Sequence, residues 1–316
     1  MKDITKARLA AKSPLTSEVS TFTFETIEEP FRGLTAGAHI DVHLGRDLIR
    51  NYSLTEWDTA GRWFSVAVKW EPHGRGGSTA MHRLEAGDVL EIGGPRNNFA
   101  LRSTGEPLVL IGAGIGITPV YAMARELASE GCGFELHHVA RTRALAAFHP
   151  EIENLRLGEK YILHCTEEQG RPDFSALLES HPEDAHYYVC GPEPLLTAIS
   201  DASRMTGRGT VVFERFAAAG TVTPDAEDSA FHVVLASTGD ELEVPAEKSI
   251  LQVLREAGRE VDYSCSEGIC GSCITDVLEG EIDHRDSILS DEEKAAGDCL
   301  CVCVSRARCP RLVLDL

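Results

Sequence analysis

The first hundred residues alternate apolar and polar positions with a period of two. In His39–Leu44, Ile40, Val42 and Leu44 share one face; in Trp63–Trp70, Phe64, Val66, Val68 and Trp70 do the same. This period predicts half-buried antiparallel strands, and their close spacing between turn signals predicts a small barrel. From about Leu108 the pattern changes. Leu108–Gly114 is an apolar run ending in glycine, followed by a helical pattern over Val120–Leu127. Phe134–Arg141, Tyr161–Glu167, His186–Pro192 and Thr210–Phe216 then alternate with helix-like stretches such as Phe174–Ser180 and Leu195–Met205. Such alternation predicts a parallel sheet with helices on both faces. Ala217–Ser229 is small and polar and carries one proline, which predicts a linker. Phe231–Pro245 reads as a hairpin turning at Thr238–Asp240. Ser249–Gln252 and Ser290–Glu293 are capping-box patterns, the first opening a helix that stops near Gly258, and Arg311–Leu316 is a closing strand. The chain therefore divides into an antiparallel β-barrel (residues 1–102), a parallel-sheet α/β domain (103–220), a linker (221–229) and a small α+β domain (230–316).

A length of 316 residues suits two domains or three small ones. The net charge of −20 excludes nucleic acid as a partner, because nothing here could neutralise a row of phosphates. Ala230–Leu316 carries 18 Asp and Glu against 8 Lys and Arg, half of the excess in about a quarter of the chain. That segment is either a solvated face or an acidic docking surface for a basic partner. No apolar run approaches the roughly 18 residues of a membrane span, and Met1–Ala11 lacks the apolar stretch of a secretion signal. A soluble, cytoplasmic protein without membrane contact is expected.

Seven of the ten cysteines lie at or after Cys265. Without a secretory segment, clustered cysteines point to metal rather than disulfides. Cys265, Cys270 and Cys273 have the spacing C-x4-C-x2-C, in a loop that also contains Gly268 and Gly271. An iron–sulfur cluster needs thiolates converging from one tight loop, with glycines that let the backbone turn and point N–H groups at sulfur. Zinc sites instead usually pair two C-x2-C units. The spacing is that of a plant-type [2Fe–2S] ferredoxin, whose fourth thiolate comes from far along the chain. Cys299, Cys301 and Cys303 alternate, and on a strand all three would point the same way. Cys303, followed by Val304 and Ser305, is the expected fourth ligand and Cys301 the alternative.

Two earlier segments suit a flavin. Arg50-Asn51-Tyr52-Ser53 resembles the R-x-Y-S motif of the ferredoxin–NADP reductase superfamily. An arginine fork can pair with a phosphate, a tyrosine can pack on the isoalloxazine, and a serine hydroxyl can sit near its reactive nitrogen. Gly74-Arg75-Gly76-Gly77-Ser78 precedes a helix-like stretch, with Ser78 as a capping hydroxyl, and reads as an anion site or a flexible loop. Two further segments suit a nicotinamide dinucleotide. Gly112–Pro119 departs from G-x-G-x-x-G at Ile117, but resembles the superfamily's G-G-I-G-I-T-P loop with Ala113 in place of a glycine. Pro119 suits the first helical position. Cys190-Gly191-Pro192 ends a strand, and Arg141 follows another.

Together these segments resemble the phthalate dioxygenase reductase family over essentially the whole chain, with departures at Asn51, Ala113, Arg215 and the extra cysteines. The resemblance implies an FMN-binding barrel, an NAD-binding domain and a C-terminal β-grasp ferredoxin domain. For FMN it implies Arg50, Asn51, Tyr52, Ser53, Ala67, Lys69, Gly74, Gly76, Gly77, Ser78, Thr118, Glu214 and Phe216. For NADH it implies Gly112, Gly114, Ile115, Gly116, Pro119, Arg141, Cys190, Gly191 and Pro192; an arginine at 141 can also suit NADPH. Cys265, Cys270, Cys273 and Cys303 hold the cluster, and Ser53, Cys190 and Phe216 flank the reacting groups. The implied activity is an NADH-dependent reductase that feeds a terminal oxygenase, of Rieske type. The alternatives are a diiron or P450 oxygenase as client, or a redox-sensing iron–sulfur protein that is not an enzyme.

Overall fold

The computed structural model describes residues 4–45, 48–102, 105–217 and 228–316. The chain forms two compact units, Met1–Phe216 and Ala217–Leu316. Most of the linker expected at 221–229 lies outside the described residues. Its last two residues do not behave as linker, because Asp228 and Ser229 are tied into the second unit by Arg285 and Arg306.

In the first unit, β1 (Ile4–Pro14), β2 (Val19–Thr26), β3 (His39–Gly45), β4 (Leu48–Trp57), β5 (Trp63–Lys69) and β6 (Val89–Arg96) close into an antiparallel barrel, with α1 (Gly77–Arg83) between the last two. The apolar face lies inside as its period predicts: Phe22, Ile40, Val42, Leu54, Phe64, Val66 and Ile92 fill the interior. Two polar positions of β3 expected in water, His39 and Asp41, are also buried. Asp41 is only 1% exposed and is neutralised there by Arg96, whose Nη1 and Nη2 donate to its two carboxylate oxygens at 2.7 and 2.5 Å. Asn51 Nδ2 on the neighbouring strand adds a third donor at 2.6 Å. Trp70, expected to point inward, is half exposed, because β5 ends one residue earlier.

The same unit contains β7 (Leu108–Ala113), β8 (Phe134–Ala140), β9 (Tyr161–Cys165), β10 (His186–Cys190) and β11 (Thr210–Glu214), all parallel in the order β11-β10-β7-β8-β9. Helix α2 (Ile117–Glu130) packs on one face, with Leu110, Leu136 and Tyr188 beneath it. Two short helices follow, α3 (His149–Glu153) and α4 (Thr166–Gln169). Helices α5 (Phe174–Glu179) and α6 (Glu193–Thr206) cover Val109, Ile111 and Val189 on the opposite face. The doubly covered sheet explains the nearly continuous apolar runs that replace period two after Leu108. Helix α2 also joins sheet to barrel: Tyr121 Oη donates to Glu56 at 2.7 Å and Arg125 Nη1 to the Thr55 carbonyl at 3.1 Å.

The second unit has a mixed sheet of β12 (Phe231–Leu235), β13 (Glu241–Val244), β14 (Ile274–Glu279), β16 (Cys299–Cys301) and β18 (Arg311–Leu314), in the order β13-β12-β18-β14-β16. A small pair, β15 (Ile282–Asp283) with β17 (Arg306–Ala307), lies beside it. The closing strand β18 runs parallel to β12 at the centre of the sheet, and α7 (Ile250–Glu256) packs its Ile250, Leu251 and Leu254 into the same core. Both expected capping boxes form, Ser249 with Gln252 and Ser290 with Glu293, the latter opening α8 (Asp291–Ala296).

Truncating Asp41 would strand the Arg96 guanidinium against the barrel wall. Asp41→Ala is expected to cost about 3 kcal/mol of stability, measured by denaturant unfolding of the purified protein.

Candidate functional site

The cysteine loop turns on three residues with positive φ, Ser266 (56°), Gly268 (68°) and Gly271 (71°). Gly268 cannot carry a side chain, since a Cβ there would lie 2.6 Å from Val304 and 3.0 Å from the backbone of Asp286. This folding brings Cys265, Cys270, Cys273 and Cys303 together, all buried. They stand as two pairs. Cys265 hydrogen-bonds Cys270, and Cys273 Sγ lies 3.1 Å from Cys303 Sγ. Cys265 also accepts from the Glu267 N–H at 3.3 Å, and Cys270 touches Ser272 Oγ at 3.3 Å. The hydrogen bond from Cys265 holds the Cys270 thiol below the usual thiol range, and those from Cys301 and Cys303 do the same for Cys273. Two thiol pairs with inward N–H donors fit a cluster of two irons, each held by two sulfurs. Among the described residues no three His, Cys, Asp or Glu converge as a single metal ion would require.

The three alternating cysteines do not share a strand face. Strand β16 stops at Cys301, and Val302–Val304 form a turn in which the Val304 and Ser305 amides both donate to the Cys301 carbonyl. The turn separates Cys303 from Cys301, and Cys303 Sγ lies 3.1 Å from Cys273 Sγ.

In the barrel, Arg50 on β4 lies across the start of α1. A Cβ at Gly77 would come within 2.9 Å of Arg50 Nε, so the glycine makes room for the arginine. Arg50 Nη2 donates to the Arg75 carbonyl at 2.9 Å. Burial pushes the Tyr52 hydroxyl above its ordinary range, against the opposing effect of Arg50. Ser53 is buried and its Oγ has no hydrogen-bond partner. An orphaned hydroxyl beside this tyrosine and arginine is what a polar ring atom of a bound flavin would satisfy. Ala67 is buried on β5. Ser78 does not cap α1: Gly76 is the cap, with φ 83°, and the Ser78 hydroxyl closes the loop by bonding the Glu71 backbone.

The glycine loop and the Cys-Gly-Pro turn, distant in sequence, touch backbone to backbone. A Cβ on Gly116 would come within 2.6 Å of Gly191 N and closer still to the Cys190 carbonyl; one on Gly191 would lie 2.8 Å from Ala113 Cβ. Gly114 has φ 54° and open space beside it. A 3-10 turn at Gly114–Gly116 precedes α2, so Pro119 is the third helical residue rather than the first, still within the turn whose N–H groups lack partners. The Thr118 hydroxyl donates to the Ile115 carbonyl at 2.9 Å. Cys190 is fully buried and its thiol contacts Glu214 on the adjacent strand. Burial pushes the Glu214 carboxyl up to about 8, and its Oε2 has no partner.

Residues 6–101 match the oxidoreductase FAD-binding domain family, 110–201 the oxidoreductase NAD-binding domain family and 233–308 the 2Fe-2S iron-sulfur cluster binding domain family. The chain is 42% identical to vanillate O-demethylase oxidoreductase of a Pseudomonas species, over 89% of this chain and 90% of the relative. It is 36% identical to phthalate dioxygenase reductase of Burkholderia cepacia, over 98% and 97%. The chain belongs to the phthalate dioxygenase reductase family. A solved structure of a phthalate dioxygenase reductase superposes with a TM-score of 0.74 at 35% identity, covering 99% of this chain and 98% of that one. An intact type IV self-sufficient cytochrome P450 monooxygenase superposes with a TM-score of 0.88 at 35% identity; there this chain covers only 41% of the longer protein. The family membership makes the protein an oxidoreductase with flavin-, NAD- and iron–sulfur-binding domains.

Not every residue named from the sequence stands free for a ligand. Asn51 is engaged with Asp41. Lys69 pairs with Glu71 at 2.7 Å, and Arg141 Nη2 donates to Glu18 at 2.6 Å, with Lys69 also 3.7 Å from Glu18. Glu18 thus holds basic groups from both the barrel and the parallel sheet, and nothing around Glu18 in the sequence marks it. Phe216 ends the first unit and is 37% exposed.

Two consequences can be measured. Gly116→Ala should weaken nucleotide binding at least tenfold by forcing the loop off β10, while a flavin titration stays near the wild-type value. Glu214 gives a pH dependence whose sign is fixed. Its pKa rises from 4.5 to about 8 in the fold, so its contribution to stability is complete below 4.5 and is lost as pH rises through about 8. The melting temperature of the wild type should therefore fall relative to that of Glu214→Gln between about pH 6 and pH 9.

Proposed function

We propose that this chain is the NADH-dependent reductase component of a Rieske-type oxygenase or demethylase, with FMN as its flavin. The observation that carries the reading is the convergence of two buried thiol pairs in a chain that also holds the arginine–tyrosine–serine segment and the paired glycine turns. The flavin, when bound, accepts a hydride and releases electrons one at a time, and the cluster carries single electrons. Each remaining role belongs to a side chain or to backbone. Arg50, steadied by the Arg75 carbonyl, offers its guanidinium to the flavin phosphate beside Gly76 and Gly77. Ser53 offers an unpaired hydroxyl to the ring, and Tyr52 its buried face. The Gly112–Gly116 loop presents backbone N–H groups to a pyrophosphate without a side chain in the way. Cys190 and Glu214 would hold a proton beside a bound nicotinamide, and Phe216 would shield a bound flavin. Cys265, Cys270, Cys273 and Cys303, all buried, would hold the two irons of the cluster.

The named relatives are components of oxygenase systems, which supports an oxygenase as the electron acceptor. The motif resemblance favours a Rieske centre in it. The high superposition on a self-sufficient P450 supports a second reading, in which a haem oxygenase is the client. Among the described residues no helix is long and apolar enough to cross a membrane.

An anaerobic visible spectrum of the purified protein, before and after stoichiometric NADH, tests the core of the reading. Overlapping flavin and iron–sulfur absorbance should bleach together, and acid extraction should release FMN. Release of FAD would correct the flavin; a spectrum inert to NADH would remove the enzymatic reading. Cys270→Ser should lose iron and the cluster shoulder. It should keep NADH-dependent ferricyanide reduction near wild type and lose more than tenfold in electron delivery to the oxygenase.

A further inference from the structure

Glu18 stands immediately before β2 and belongs to none of the motifs read from the sequence. Its backbone is clamped on both sides. Its N–H donates to Thr16 Oγ1 at 3.1 Å, and its carbonyl accepts from the Trp70 N–H at 2.8 Å. The carboxylate so fixed accepts from Arg141 Nη2 at 2.6 Å and lies 3.7 Å from Lys69 Nζ. Arg141 is the first residue beyond β8, the strand that follows the glycine loop and α2. Strand β8 lies beside β7 with Val139 opposite Ala113, and the Arg141 carbonyl accepts from the Glu167 N–H at 3.1 Å. In a dinucleotide fold the residue at the end of this strand meets the adenosine ribose; an acid there binds the 2′-hydroxyl, and an arginine accommodates a 2′-phosphate. Here an arginine holds the position and the acid reaches it from the barrel. We propose that Glu18 is a specificity-determining residue that disfavours a ribose 2′-phosphate, and so selects NADH over NADPH, by occupying Arg141 and placing a negative charge beside it. The proposal rests on the reading of Arg141 as a nucleotide-facing residue.

The argument is one of charge. An arginine fork suits a phosphate because it offers parallel donors to two oxygens. With Glu18 in place, a 2′-phosphate must either displace the carboxylate or bind against it. A 2′-hydroxyl meets neither obstacle, because it can donate to the same carboxylate. The Arg141 and Glu18 side chains are 60% and 35% exposed, so the ion pair itself is weak and its release is the smaller effect. The larger is repulsion between the carboxylate and a phosphate sharing one guanidinium. Neighbouring cations are already engaged, Arg143 Nη1 with His149 and Lys69 with Glu71 at 2.7 Å. Removing the Glu18 charge therefore acts chiefly through Arg141.

The test uses the flavin-loaded protein and its Glu18→Gln, Glu18→Ala, Arg141→Ala and Glu18→Gln/Arg141→Ala variants. Binding of adenosine 5′-monophosphate and of adenosine 2′,5′-bisphosphate is measured by calorimetry, then kcat and KM for NADH and NADPH with ferricyanide as acceptor. Glu18→Gln keeps the shape and removes the charge. It should bind the bisphosphate about tenfold more tightly and the monophosphate within about threefold of wild type. The same gain should appear in the KM for NADPH, with kcat for NADH unchanged. Glu18→Ala should behave alike and replaces Glu18→Gln should that variant not fold. The double variant should lose the gain, which a role confined to joining barrel and sheet would not produce. An unchanged ratio of the two affinities in both Glu18 variants, with Arg141→Ala still altering nucleotide binding, would overturn the proposal alone. Arg141→Ala that leaves both affinities unchanged would overturn the nucleotide-facing reading of Arg141 and the proposal with it.

Discussion

Close approach of one backbone to another, with no side chain between them, is what the rest of this structure is built around. It happens twice. In the first unit, Gly116 meets the Cys190–Gly191 peptide, so the opening of α2 is set directly against the end of β10. In the second, Gly268 meets Asp286 and Val304, so the cysteine loop closes on the turn that supplies Cys303. Each contact joins segments far apart in sequence and places reactive groups on both sides of the seam. Glycine is the only residue that allows it, and the entropic cost of fixing glycine is met by the packing around it.

Charge is arranged around these seams with the same economy. The barrel buries Asp41 only because Arg96 and Asn51 converge on it. The second unit, for all its acidity, spends several carboxylates internally. Asp228 and Asp283 hold Arg285, and Glu293 caps its own helix. The negative surface is thus partly structural, and the number of acids left to meet a basic partner is smaller than the sequence total suggests. The first turn of α8 shows the other use of such charge, with Asp291, Glu292 and Glu293 placed where a helix dipole favours them.

Much of this was legible in the sequence. Period-two strands, apolar runs ending in glycine and two capping boxes each correspond to a local rule, and each formed where expected. What could not be read were facts that depend on a partner from elsewhere in the chain. Asp41 looked like a solvent-facing position until β6 brought Arg96 beside it. Glu18 carried no signal, because its two cationic neighbours come from β5 and from the loop after β8. The alternation of Cys299, Cys301 and Cys303 suggested one strand face, but the strand ended early and a turn took over. The proline of the glycine loop was displaced by two positions for a similar reason, since a 3-10 turn preceded the helix.

Ala113 and Gly191 form a complementary pair. The alanine methyl occupies the space that a side chain at 191 would need. Residue 113 can carry a methyl group because residue 191 has none. In evolutionary terms the two positions cannot drift independently: a lineage that enlarges one must first shrink the other, through an intermediate with glycine at both. The seam is therefore free to vary only along paths that keep these two side chains together no larger than one methyl group. Change is accordingly steered away from the seam and towards exposed positions such as Arg141, where a change in one residue asks nothing of another backbone.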